Sequence, residues 1–192
     1  MKNKKYELLT DDTIELFGRT LYRIRAKIDF GSVEKGQLGG YIEKVENLSH
    51  DGDAWVYGNA VVYGNAVVYG NAVVYGNAVV YGDAWVYGNA RVCDDAVVYG
   101  DARVCGNARV YDDAVVCGDA VVSSSKDYNV FKNTWSSFRW FTYTKSNKMW
   151  KVGCFYGTGA ELIAKAYKDS ELSGKCYEAY VNLVSDLEKI SE

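Results

Sequence analysis

The chain holds one histidine and five cysteines, so few side chains could serve as a general base, a nucleophile or a soft metal ligand. His50 stands in Asn47-Leu48-Ser49-His50-Asp51-Gly52-Asp53. As a general base it would suit acyl transfer, provided a cleft held donor and acceptor beside it. The position also reads simply as a turn residue. Cys93, Cys105 and Cys117 lie twelve residues apart, and neither they nor Cys154 and Cys176 form a CxxC pair. That spacing belongs to a repeat rather than to a metal site, and an odd set of unpaired thiols suits a reducing, cytoplasmic setting. Pairing Cys154 with His50 as a catalytic couple lacks any activating context.

Carboxylates supply the third kind of chemistry. Residues 52–123 carry eight Asp and three Arg, with no Glu or Lys. Asp94, Asp95, Asp112 and Asp113 could offer oxygens to a hard cation, although nothing in the spacing fixes a coordination geometry. A whole-chain charge of -3 is too mild to demand a polyanionic partner. Three arginines against eight aspartates cannot form a phosphate track, so direct nucleic-acid binding is not expected. No phosphate-loop or dinucleotide glycine pattern occurs. The reading therefore assigns no catalytic, cofactor or metal residues.

What positions these groups is a six-residue ruler. From Gly52 to Ser123 the chain repeats Gly-[Asn/Asp]-Ala-x-Val-[Tyr/Cys] twelve times without insertion or deletion. Strand alternation puts Ala and Val on one face, and x and Tyr on the other. Gly followed by Asn or Asp supplies a corner that tolerates positive φ. Six residues are too few for two antiparallel strands with turns, but they fit one side of a three-sided prism of 18 residues per coil. Residues 18 apart then stack about 4.8 Å above one another.

This repeat resembles the hexapeptide repeat of left-handed parallel β-helices, in which an aliphatic and a small residue both point inward. The resemblance implies a mainly β, single-stranded, triangular left-handed parallel β-helix. It also raises the acyltransferase activity known for that family. Against that activity, the repeats lack an excursion loop to shape a pocket. Tyr after the inward aliphatic departs from the family's usual small or acidic residue.

The flanks complete the plan. Tyr22, Ile24, Ala26, Ile28 and Phe30 alternate with Arg23, Arg25, Lys27 and Asp29, as in a half-buried strand with a basic face open to RNA or an acidic protein. Ile42 and Leu48 suit inward positions of an opening coil, and residues 1–51 are read as a β cap. Residues 124–192 read as a small α+β unit, ββαα. Its strands are Trp135–Thr144 and Met149–Tyr156, Thr158 and Glu161 form a capping box, and Gly174 divides the helices. The second helix places Tyr177, Val181, Val184 and Leu187 on one face. No stretch suggests a signal peptide or a membrane span. LGGYIEKVENLS at 38–49 and MWKVGCFYGTGAE at 149–161 resemble the flanks of uncharacterised hexapeptide-repeat proteins of phages and prophages.

One side of the prism presents Val61, Val79, Val97 and Val115 beside Tyr63, Tyr81, Tyr99 and Cys117, without charge. Such a strip is expected to be buried, against the C-terminal unit or a second copy. The tyrosine columns could equally be ladders that stabilise the coil. Acidic corners run beside them through Asp95, Asp101, Asp113 and Asp119, where solvation or recognition of a basic protein groove would explain them. The favoured expectation is a non-catalytic, phage-type protein-binding module in the host cytoplasm. One form would be an inhibitor of a host defence system such as CRISPR. Its expected contacts are Tyr63, Tyr81, Tyr99, Asp95, Asp101, Asp113 and Asp119. An architectural, homo-oligomeric β-helix and a diverged acyltransferase are the alternatives.

Overall fold

The computed structural model describes residues 4–191, so the first three residues of the expected cap and the last residue of the C-terminal unit lie outside it. The chain forms two compact units that meet between Asp127 and Tyr128.

The first unit opens with a hairpin, β1 (Tyr6–Leu16) and β2 (Arg19–Ala26), joined by Phe17 and Gly18, both at positive φ. That is the two-residue turn whose twist matches the strands. Next comes β3 (Leu38–Ile42), and then twelve two-residue strands, β4 to β15, from Trp55–Val56 to Val121–Val122. These short strands form three parallel sheets, with Val61, Val79, Val97 and Val115 in register along the second side. Trp55, Val73, Arg91 and Arg109 align on the first side, and Val67, Trp85, Arg103 and Val121 on the third. The 18-residue coil read from the ruler is therefore the observed one. All twelve Ala and twelve Val at inward positions are fully buried.

Each coil donates its peptide N–H groups to carbonyls of the next, as Val61 N–H does to Ala78 and Tyr63 N–H to Val80. The first coil therefore has carbonyls with no coil above them. Each side solves this differently. On the first, the Lys5 ammonium donates to the Gly52 and Ala54 carbonyls at 3.1 and 2.8 Å. On the second, Arg23 donates to Gly58, while Tyr41 and Glu43 N–H reach Ala60 and Val62. On the third, the Asn47 carboxamide reaches Gly64 and Ala66, and Ser49 N–H reaches Val68. Lys5 and Asn47 are both buried, consistent with this duty.

Ile42 pairs beside Val62 and Leu48 bridges Val68, both fully inside, as expected of an opening coil. Here the step is two residues longer than in the repeat, and the extra length falls in the corner that carries His50. Gly39 and Gly40 cross the open end, where an added Cβ would lie 2.6 Å from the Val56 carbonyl and 2.4 Å from that of Ala60. The strand expected through Phe30 stops at Ala26, leaving Ile28 exposed, because the chain turns to make the Phe30–Val33 bridge. The basic face is not open either: Arg23 pairs with Asp12, and Arg25 with Glu7.

The second unit has four antiparallel strands rather than two: β16 (Tyr128–Lys132), β17 (Trp140–Thr144), β18 (Met149–Val152) and β19 (Phe155–Gly157). Gly153 at φ 53 turns the chain where one strand was expected to continue to Tyr156. Helices α1 (Gly159–Asp169) and α2 (Glu171–Ser191) follow, and the Thr158–Glu161 capping box forms. The helices divide at Ser170, whose hydroxyl accepts the Ser173 N–H. Gly174 lies inside α2 because Tyr167 packs against it, and a Cβ there would sit 2.2 Å from the ring. Phe141, Tyr143, Trp150, Leu162, Tyr177 and Val184 form this unit's core, while Leu187 is exposed. Among the described residues no helix is long and apolar enough to cross a membrane.

Two predictions follow from the core and its edge. Val80→Ala should lower unfolding free energy by about 2 kcal/mol, whereas Val79→Ala, one residue away on the outer face, should cost under half as much; chemical denaturation reads both. Burial lowers the Lys5 ammonium from 10.5 to about 8, with Asp53 and Asp51 opposing. Between pH 8 and 10 the unfolded chain then binds the proton that the folded chain has released, so stability rises with pH. Above that window Tyr6, held well above the ordinary phenol range by burial and Glu46, reverses the slope. Lys5→Met should abolish the rise in thermal midpoint from pH 8 to 10.

Candidate interaction surface

In-register stacking turns the repeat into columns of like side chains. The Tyr63 and Tyr81 rings lie 5.1 Å apart at 3°, and Tyr81 and Tyr99 4.9 Å apart at 6°. On the third side Tyr69 and Tyr87 stack in the same way. Stacked aromatic pairs contribute roughly 0.5–1.5 kcal/mol beyond area burial. The columns therefore stabilise the coil whatever else they do.

The seven expected contact residues do not share one fate. Tyr63 is only 7% exposed, because Leu21 and Tyr41 of the N-terminal hairpin sheet pack over Val61 and Tyr63, with Ile14 and Leu16 beside them. Tyr63 is thus removed from the available surface. The expected cover, the C-terminal unit or a second copy, is replaced over these first rungs by the chain's own N-terminal hairpin. Burial raises the pKa of both Tyr63 and Tyr81, with Arg19 opposing at Tyr63. Tyr81 and Tyr99 remain half-buried, alongside half-buried Val79, Val97 and Val115. Asp95, Asp101, Asp113 and Asp119 are exposed. Trp55, expected in an outer column, is fully buried between Tyr6 and Phe30, and its indole N–H has no hydrogen-bond partner among the described residues.

Both acidic seams flank this same valine–tyrosine side. The corner before it carries Asn59, Asn77, Asp95 and Asp113, with Asp94 and Asp112 in the glycine positions. The corner after it carries Asn65, Asp83, Asp101 and Asp119. Asp83, Asp94 and Asp112 thus join the expected four on one face. The three arginines of the repeat all project from the other two sides. At the third corner, Asn71, Asn89 and Asn107 form an amide ladder, each donating to the next at 3.2 Å. The acidic seams begin the same way, with Asn77 donating to Asp95 and Asn65 to Asp83. Beyond those pairs aspartate stacks on aspartate, and neither carboxylate carries an N–H of its own to donate.

Asp94 and Asp112 hold φ of 59 and 55, a conformation that Gly58 and Gly76 adopt at the equivalent corners. Left-handed backbone costs a non-glycine residue roughly 1 kcal/mol. Among the described residues no group of three or more carboxylates, thiols or imidazoles converges to hold a metal ion, which disfavours the cation site considered at this corner. His50 stacks on Tyr6 at 4.3 Å and accepts the Lys5 N–H at Nδ1. Burial, with Lys4 and Lys5 nearby, lowers its pKa. No disulfide joins the cysteines among the described residues.

Five stretches, residues 54–70, 68–82, 72–88, 84–100 and 102–118, match the family model of the YdcK β-solenoid repeat. All of them lie inside the coil, so this part of the chain is similar to that repeat. No curated protein matches the chain significantly.

Replacing Asp94 and Asp112 by Gly should raise stability by about 0.5–1 kcal/mol per site, since glycine carries no Cβ penalty there. Thermal midpoints of the single and double variants test this. A fall would mean that the Cys93 thiol's hydrogen bond to Asp94 outweighs the backbone strain.

Proposed function

We propose that this protein is a non-catalytic binding module that captures a basic protein surface. It would do so with the strip Val79, Val97, Val115, Tyr81 and Tyr99 and the acidic seams on either side. The observation that carries this reading is the segregation of charge: seven of the eight repeat aspartates line the two corners of one side, and no arginine projects from it. An apolar strip with a tyrosine edge supplies contact area with polar tips, and the seams steer and orient a cationic partner. Stacking Asp on Asp and placing Asp at positive φ both work against folding, as expected of residues retained for an intermolecular role.

A partner that ordinarily grips nucleic acid has the matching chemistry, a groove lined with Arg and Lys. A phage-type inhibitor of a host defence protein, occupying the groove of a CRISPR effector for example, is the form of this reading that we favour. The role of His50 argues against the acyltransferase alternative. Its ring is committed to Tyr6 and to the Lys5 N–H, at a corner two residues longer than the rest.

The test is affinity capture from host lysate, in parallel with and without nuclease. It compares the natural chain with a variant carrying Asp83, Asp95, Asp101, Asp113 and Asp119 as Asn. A basic protein should be retained by the natural chain after nuclease treatment, released by high salt or by competing duplex DNA, and lost from the variant. Equal retention by the variant would remove the seams from the function.

A further inference from the structure

Within the C-terminal unit, the loop before β17, the β18–β19 turn and the two helices line a cleft of about 440 Å3. Its size falls in the roughly 300–1,000 Å3 range of small-molecule sites. Val152, Phe155 and Leu162 give it an apolar wall, and the Ser137 and Tyr177 hydroxyls, bonded to each other at 2.7 Å, lie at its side. Arg139, Lys165 and Asp169 also line it. Lys165 and Asp169 stand one turn apart on α1, yet no ion pair joins them, and Arg139 has none either among the described residues. The Arg139 guanidinium lies against the Gly153–Cys154 turn, which puts the exposed Cys154 thiol in the same cleft.

We propose that this cleft binds a small monocarboxylate with an apolar body. The carboxylate would lie with Arg139 and Lys165, and the body along Val152, Phe155 and Leu162. Guanidinium presents a planar fork that matches two carboxylate oxygens. Two cations opposed by Asp169 leave one net positive charge, which suits a monoanion. A phosphate dianion would meet the Asp169 carboxylate with a second, uncompensated charge. Val152 and Leu162 are already buried, so an aliphatic or aryl body gains its hydrophobic contribution mainly by covering half-buried Phe155. This site is independent of the solenoid surface and would stand if that reading fell.

Calorimetry on the full chain with octanoate and phenylacetate tests it, with octylamine and benzyl phosphate as controls. Both acids should bind, and both controls should bind at least about tenfold more weakly. Arg139→Gln and Lys165→Gln should each weaken octanoate by about tenfold. Asp169→Asn, at an exposed position, should tighten octanoate and admit benzyl phosphate. Octanoate should also slow alkylation of Cys154 by iodoacetamide without slowing that of Cys176, read by peptide mass. Thermal midpoints confirm that each variant folds, and the natural chain's Cys154 protection needs no variant. Absence of binding by both acids, equal binding of octylamine, or affinity unchanged in both cation variants would overturn the proposal.

Discussion

Every outward feature of the solenoid depends on one constraint, the hydrogen-bond ladder that ties each coil to the next. A peptide N–H on one coil must find its carbonyl on the coil below, so the residues per coil cannot drift without breaking a whole side. The twelve exact repeats satisfy this condition. Where the period lengthens by two residues, near His50, the ladder is held instead by groups foreign to the repeat. A buried ammonium, a guanidinium and a carboxamide each supply the donors that a missing coil would have given. Unpaired buried carbonyls cost about 1–3 kcal/mol each. The cap is therefore a continuation of the same hydrogen-bond accounting by side chains, and Lys5 and Asn47 are buried for that reason.

The ladder also decides what stacking does to charge. An asparagine column is self-satisfying, because every carboxamide has a donor for the one below and an acceptor for the one above. Aspartate, which only accepts, fits at an end of such a column but not in succession. The acidic seams exceed that limit, with Asp83, Asp101 and Asp119 in succession on one corner and Asp95 over Asp113 on the other. Local physics would have kept asparagine, as the third corner does from Asn71 to Asn107 in the same chain. That contrast within one molecule isolates the aspartates as residues not explained by the coil, and both columns lie beside the one side from which no arginine of the repeat projects.

Legibility followed the same division. Inward Ala and Val, the coil length and all three outer columns could be read from the repeat because translation along a ladder leaves no freedom. The capping box at Thr158 was equally legible, being local. Trp55 and Tyr63 hold the columns read for them but not the exposure, because their burial comes from Tyr6, Phe30, Leu21 and Tyr41, residues outside the repeat whose packing no periodicity records. Gly174 looked like a helix break and proved to be a close contact with Tyr167; glycine signals both, and only the neighbour distinguishes them. The cleft residues Arg139, Lys165 and Asp169 come from a loop and one helix. Their spacing carries no motif, so the fold alone brings them together.

In a repeat this regular, few positions remain for specificity. Glycine is held by its φ, alanine and valine by the core, and the second corner residue by the amide ladder. Only the x position and the following Tyr or Cys can vary without disturbing the coil, together with those corners where Asp replaces Asn or Gly. The observed variation is confined to these places: Val, Trp or Arg at x, Tyr, Cys or Ser after the inward valine, and Asp in the first corner and in the later ones. Random drift would scatter such changes over the three sides. Here arginine and tryptophan occupy the first and third sides and the second keeps valine at every coil, with aspartate at both its margins. Recognition by that side is the physical account that makes its uniformity, its charge and its cost in stability consequences of a single requirement.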